Sequence, residues 1–301
     1  PSTLNPERGF VSSANQHQVD PSYPYYVFDN SYEHYRNRRL NNRLREMENI
    51  TIEDMKALQF DDYYLHAAEA LPVMINLLGS YLPNDESAKK YMQELKSWDF
   101  YADPNQKGPT LFSSWWSKTY SEIWKEWAEF GVPVVRPSNY QTVKLLKEEP
   151  ASQIFDWGNS ASEETASDHV KKGFELMVEE MKKWEEDEGD YTWANFKRTK
   201  IQHLVPQFNS FSVENVYTGG GSGILNATGS RHGASWRMVV ELGPDIQAFG
   251  IYPGGQSGNP GSKFYANFIS KWANGEYLNF NLRKPDDSDA SLFITTFVPK
   301  P

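Results

Sequence analysis

The residues best placed to do chemistry sit in one glycine-rich stretch between Gly219 and Gly258. It opens with the cluster Gly219-Gly220-Gly221-Ser222-Gly223 and a short run ending Ile224-Leu225-Asn226-Ala227. The segment Gly229-Ser230-Arg231-His232-Gly233 follows, and the loop Pro253-Gly254-Gly255-Gln256-Ser257-Gly258 closes the stretch. Glycine admits positive φ and lets a ligand approach the main chain, so Asn226 and Arg231 on such turns can be aimed at chemistry. They can equally bond to their own turns, which is the ordinary role of an Asn beside glycines.

The familiar catalytic signatures fail. No Gly-Lys-Ser/Thr follows the cluster at 219–223, so it is not a phosphate-binding loop. The loop Gly255-Gln256-Ser257-Gly258-Asn259 lacks the last glycine of a nucleophile elbow, which makes Ser257 a poor nucleophile. The histidines, His17, His34, His66, His169, His203 and His232, show no metal-ligand spacing, and neither a metal nor a cofactor is expected; His232 reads as structural. Adjacent acids such as Asp61-Asp62 and Glu163-Glu164 could serve a glycosidase, but acid pairs are frequent in so acidic a chain and read as solvated surface charge. On the residues alone there is no complete catalytic constellation.

The elements that must position these residues follow from periodicity. Trp236, Met238, Val240 and Leu242 share one face of an extended segment, and Ser235, Arg237, Val239 and Glu241 share the other. With the turn Gly243-Pro244-Asp245 and a second alternating segment to Tyr252, this predicts a β-hairpin with irregular, glycine-rich ends. Upstream the period is helical: from about Ser31 to Glu48, from Thr51, which with Asp54 resembles a capped start, through Leu58, and from Asp61 to Leu78, with Pro72 expected to kink or restart the helix. Further helices are predicted over Glu86 to Trp98, along the aromatic face of Phe112, Trp116, Tyr120, Ile123 and Trp127, and from Ser162 to Glu188, whose acidic end opposes the helix dipole and should fray. Tyr191 to Val205 reads as helix or extended connection. Ser262 should cap a helix that Gly275 ends, and strands over Tyr277 to Asn281 and Leu292 to Val298 follow. Helices first and sheet second define an α+β fold with an antiparallel sheet, helical over about 30–190 and sheet-rich over about 191–301.

Composition narrows the function classes. A net charge of -10 over 301 residues argues against a nucleic-acid partner. The strongest basic cluster, Arg36, Arg38, Arg39, Arg43 and Arg45, is offset by Glu33, Glu46 and Glu48 and reads as a solvated or salt-bridged face. With 0 cysteines, thiol nucleophiles, disulfides and thiolate metal sites are excluded. No apolar run approaches membrane-spanning length, and the first residues do not read as a signal peptide. Ten tryptophans suit either a core or a glycan-binding surface, and the core is the simpler cause.

Several segments in order along the chain resemble the penicillin acylase (penicillin amidase) family of N-terminal-nucleophile hydrolases, which includes cephalosporin and acyl-homoserine-lactone acylases. They are Asn5-Pro6-Glu7-Arg8-Gly9-Phe10-Val11 with Ala14-Asn15, Tyr35-Arg36-Asn37-Arg38-Arg39-Leu40, Gln59-Phe60-Asp61 with Ala67-Ala68, and Leu95-Lys96-Ser97-Trp98-Asp99. The resemblance is strongest at Gly220-Gly221 with Leu225-Asn226-Ala227, at Gly233-Ala234-Ser235-Trp236-Arg237 and at Pro253 to Gly258, and weakest between about 130 and 190.

That resemblance implies a fragment of a four-layer αββα fold, the C-terminal portion of the large (β) subunit. In the family, the subunit's first serine uses its own α-amino group as base, because a free amine can take the hydroxyl proton near neutral pH. The oxyanion is held by a backbone N–H and an Asn side-chain amide. Asn226 matches that asparagine, Arg231 is the nearest match to a supporting arginine with Arg237 as a rival, and Ser2 does not occupy the nucleophile's place. The resemblance therefore implies an amidohydrolase acting on a linear or cyclic acylated amide, inactive without its missing N-terminal portion or other subunit. It favours a periplasmic or secreted location, with no nucleic-acid or membrane partner, and unpaired strand edges could draw in a second copy of the chain. The alternative is a non-catalytic binding or scaffold module, for glycans given the tryptophans.

Overall fold

The computed structural model describes residues 3–17, 19, 22–25, 27, 33–125, 127, 135–156, 163–280 and 297–299. Among them, helices α1 (Tyr35–Glu46), α2 (Ile52–Gln59), α3 (Leu65–Leu78), α4 (Glu86–Ser97), α5 (Gly108–Trp124), α6 (Asn139–Glu148), α7 (Ala166–Asp187) and α8 (Trp193–Lys197) come first. Strands β1 (Thr199–Ile201), β2 (Val213–Val216), β3 (Arg237–Glu241), β4 (Gln247–Ile251) and β5 (Leu278–Phe280) follow, with α9 (Ile269–Ala273) before the last. The class is α+β.

Local chemistry sets the helix starts. Thr51 and Asp54 form a reciprocal capping box on α2, as do Thr165 and Asp168 on α7, and the Asp85 carboxylate accepts the Ser87 and Ala88 N–H groups at the start of α4. The main core lies between α5 and α7, flanked by α3, α4 and α6. Trp115 is fully buried there, edge-on to Phe174 at 5.0 Å, and donates its indole N–H to the Val170 carbonyl at 3.0 Å. Each such aromatic contributes about 1.5–3 kcal/mol by leaving water. A smaller core of Val216, Ile251, Ile269 and Trp272 joins β2, β4 and α9.

Several expectations are corrected. α3 continues through Pro72 without restarting; the Pro72 residue is exposed, while Leu71, Met74 and Leu78 hold the helix to the core. The acidic end of α7 does not fray: Glu185 bonds Lys90 at 2.6 Å and Glu188 pairs with Arg198 at 2.6 Å, which offsets the unfavourable dipole. Ser262 caps a turn at Phe264 rather than a helix, and α9 begins only at Ile269. α6 was not anticipated. The strand expected over Leu292 to Val298 lies largely outside the described residues, as does the start of the helix expected from Ser31.

The sheet region holds two antiparallel ladders, β1–β2 with an irregular register and β3–β4–β5, in which Arg237 faces Ile251 and Val239 faces Phe249. The facing of β3 is unusual. Arg237 and Val239 are buried at 4% and 8% exposure, whereas Trp236 and Met238 on the apolar face are 47% and 50% exposed.

Candidate functional site

Asn226 is 1% exposed, and its carboxamide is clamped at both ends. Its Nδ2 donates to Asp62 Oδ1 at 2.8 Å. Its Oδ1 accepts from Thr228 Oγ1 at 2.9 Å and from an Arg237 guanidinium nitrogen at 2.7 Å. A side-chain amide has two donor hydrogens and two acceptor lone pairs, so both acceptor positions are filled and one N–H remains uncommitted. The backbone is fixed as well: the Asn226 N–H donates to the Asp61 carbonyl at 3.0 Å, and its carbonyl accepts from Gly221 and Thr228 at 3.1 and 2.6 Å.

Each partner is held by a different element. Arg237 at the start of β3 spans from Asn226 to the Trp272 carbonyl on α9, 2.7 Å away, with its guanidinium between the rings of Phe60 and Trp272 at 5.1 and 5.0 Å. Burial pushes its pKa down from the usual arginine range. Asp61 is gripped by Arg39 of α1, with nitrogen–oxygen distances of 2.6 and 3.1 Å, which fixes the 61–62 segment under Asn226. Asp62 is 5% exposed, and burial raises its pKa to about 7, with the negative charge of Asp103 pushing the same way and the Asn226 hydrogen bond pulling back.

Below the loop, Lys197 at the end of α8 donates its ammonium to the carbonyls of Gly219, Gly220 and Thr228, the last at 3.0 Å. Burial pulls its pKa down to about 7, and the nearby Asp62 carboxyl opposes that shift. Lys197 therefore ties both strands of the Asn226 turn together, as a small cation would. The glycines are required here: a methyl on Gly219 would strike the Asp62 carboxyl, and Gly220 has φ of +76 with the Asn226 backbone against it.

The predicted residues fare unequally. Asn226 lies at the centre of this buried network. Arg231 is exposed and lines an open depression with Trp184, Arg198, Lys200, Glu214 and Tyr217. The arginine that the fold brings to Asn226 is its rival, Arg237. His232 lies 3.2 Å from the Ser222 hydroxyl on the exposed side of the loop. Asp62, expected with Asp61 as solvated surface charge, is a buried support of the site together with Lys197 and Thr228, and Asp61 is half-buried beside it. Two adjacent acids look alike whether buried or solvated, and nothing in the local sequence marks a buried lysine. Among the described residues, no group of three His, Asp or Glu is placed to hold a metal ion.

A thermostable penicillin G acylase from Alcaligenes faecalis shares the fold, with a TM-score of 0.52 over 99% of this chain and 58% of that chain, at 14% identity. The penicillin amidase family model matches residues 1–288, and the chain belongs to that family. An acyl-homoserine lactone acylase, QuiP, from Pseudomonas syringae pv. tomato is 29% identical over 128 residues, which are 38% of this chain and 15% of that protein. The chain thus spans less than two thirds of the length of either relative.

Proposed function

We propose that this chain is the C-terminal portion of the large subunit of an amidohydrolase, supplying the oxyanion donor to an acyl transfer whose nucleophilic serine lies outside it. The observation that carries the reading is the Asn226 carboxamide: its oxygen is saturated by Arg237 and Thr228, one N–H is spent on Asp62, and one remains. An amide fixed in this way needs no reorganisation when charge develops on a substrate carbonyl, which is what makes such donors effective. Arg237 is the supporting arginine in this reading, and Arg231 has no part in holding Asn226. The substrate class is an acylated amide, linear or cyclic.

The partner is the remainder of the acylase fold. Trp236, just before β3, and Met238 and Val240 within it form an exposed apolar face, and such a face calls for a covering layer. The outer edge of β3 has no strand partner among the described residues; α2 lies beside β3, and its Gln59 side chain donates to the Met238 carbonyl at 2.9 Å. Coverage of only 58% of the Alcaligenes faecalis chain supports the same reading.

The chain assayed alone on acyl amides should be inactive, and activity should return when it is co-expressed with the N-terminal portion that carries the serine. Turnover by the isolated chain would refute the placement of the nucleophile.

A further inference from the structure

Asp62 is a buried acid that the amidohydrolase chemistry does not itself require. We propose that Asp62 is a positioning residue for Asn226, fixing the carboxamide so that its single uncommitted N–H points at the oxyanion. The inference rests on the reading of Asn226 as the oxyanion donor.

The geometry supports it from both sides of the contact. Asp62 Oδ1 takes one Asn226 hydrogen at 2.8 Å, while Arg237 and Thr228 hold the carboxamide oxygen at the other end. Two clamps at opposite ends remove rotation about the side chain, which one clamp alone would permit. Asp62 has no slack of its own: its carbonyl accepts the Ala102 N–H at 2.9 Å, and its second carboxyl oxygen packs against Gly219, where a methyl would not fit. The charged groups facing it are Asp61 beside it, Asp103 from the loop after α4, Lys197 from α8 and Arg237 from β3. No other residue of the network reaches Nδ2.

An acid in this position also gives the donor a dependence on pH. A neutral Asp62 accepts the Asn226 hydrogen without opposing a negative charge on the substrate oxygen, whereas an ionised Asp62 repels it through a medium of low dielectric. With its pKa raised to about 7 by burial, Asp62 is protonated below neutrality and ionised above it. Turnover should therefore decline above neutral pH. The α-amino base of the nucleophile gives the opposite trend, since it must lose its proton to act.

The test compares kcat and KM across pH for the full-length enzyme and its Asp62→Ala, Asp62→Asn and Asn226→Ala variants on an acyl amide. Asp62→Ala should lose about 100-fold in kcat with little change in KM. Asp62→Asn, which keeps the acceptor and cannot ionise, should recover most of that loss and lack the decline above neutrality. A folded Asp62→Ala enzyme with unchanged kcat, or an Asp62→Asn enzyme with the parent's pH profile, overturns the proposal. Should Asp62→Ala fail to fold, the Asp62→Asn profile decides alone. Should Asn226→Ala retain full kcat, the oxyanion reading itself fails. Positioning is then judged on the 301-residue chain by solvent exchange of the Asn226 side-chain amide, which must quicken about tenfold or more in Asp62→Ala, where the acceptor is gone, and stay near the parent's rate in Asp62→Asn, which keeps it. Unchanged exchange in Asp62→Ala overturns it.

Discussion

At the residue scale, Asn226 and Arg237 work as one unit. Arg237 presents two nitrogens of a planar fork to two acceptors, the Trp272 carbonyl and Asn226 Oδ1, at 2.7 Å each. A lysine has a single point charge and cannot reproduce both. Arg237→Lys should lower stability by about 1.5–3 kcal/mol, the size of one lost charged hydrogen bond, and urea denaturation measures it; Arg231→Ala should leave the midpoint unchanged. Asp62 gives a prediction with a definite sign. Its folded pKa of about 7 lies above the ordinary carboxylate value, so the folded chain keeps a proton that the unfolded chain has lost over roughly pH 4 to 7. That contribution to stability is complete below the unfolded pKa and disappears as pH rises through 7. Asp62→Asn abolishes it, so the variant should gain on the parent between pH 4.5 and 7 by on the order of 3 kcal/mol. Equal pH slopes in the two proteins would show that Asp62 titrates normally. Asn226 was legible in the sequence because its glycine and alanine neighbours carried the family pattern. Asp62 and Lys197 were not, because an acid pair in an acidic chain, or a lysine between Phe196 and Arg198, looks the same buried or exposed until long-range packing is known.

At the element scale, periodicity located the helices and misjudged their ends. The stripes on α3, α4, α5 and α7 survive as the core, since a 3.6-residue repeat of apolar side chains has one efficient way to be buried. Pro72 did not break α3 because tertiary burial on both sides outweighs one missing hydrogen bond. The helix expected after Ser262 is mostly turns, since Phe264 and Tyr265 serve the loop at Gly255 rather than a core stripe; Ser257 N–H donates to the Phe264 carbonyl at 3.2 Å. The tight α5–α7 crossing rests on Gly173, where an added methyl would lie 2.8 Å from the Thr119 nitrogen and 2.9 Å from its Cα. Gly173→Ala gains about 1 kcal/mol in helix propensity but loses about 1–3 kcal/mol to overpacking against backbone that cannot yield. The net should be a lower thermal midpoint, and an unchanged or higher one would show that the two helices can separate freely.

At the scale of the whole molecule, the sheet explains why the chain looks inside out at β3. Alternation correctly divided Trp236, Met238 and Val240 from Arg237 and Val239, yet the apolar set is the exposed one. Periodicity gives faces but not which face meets the core, and here the buried arginine is claimed by Asn226 and Trp272. Met238→Glu with Val240→Glu should leave the helical region folded by circular dichroism while abolishing co-purification with the N-terminal portion of the enzyme; retained assembly would mean that another surface docks it. The central claim is that Asn226 stabilises the oxyanion. Its most direct test is the kcat of Asn226→Ala in the full-length enzyme on an acyl amide. A fall of about 100- to 1,000-fold with KM nearly unchanged is the predicted result, and a folded variant with the parent's kcat would contradict it.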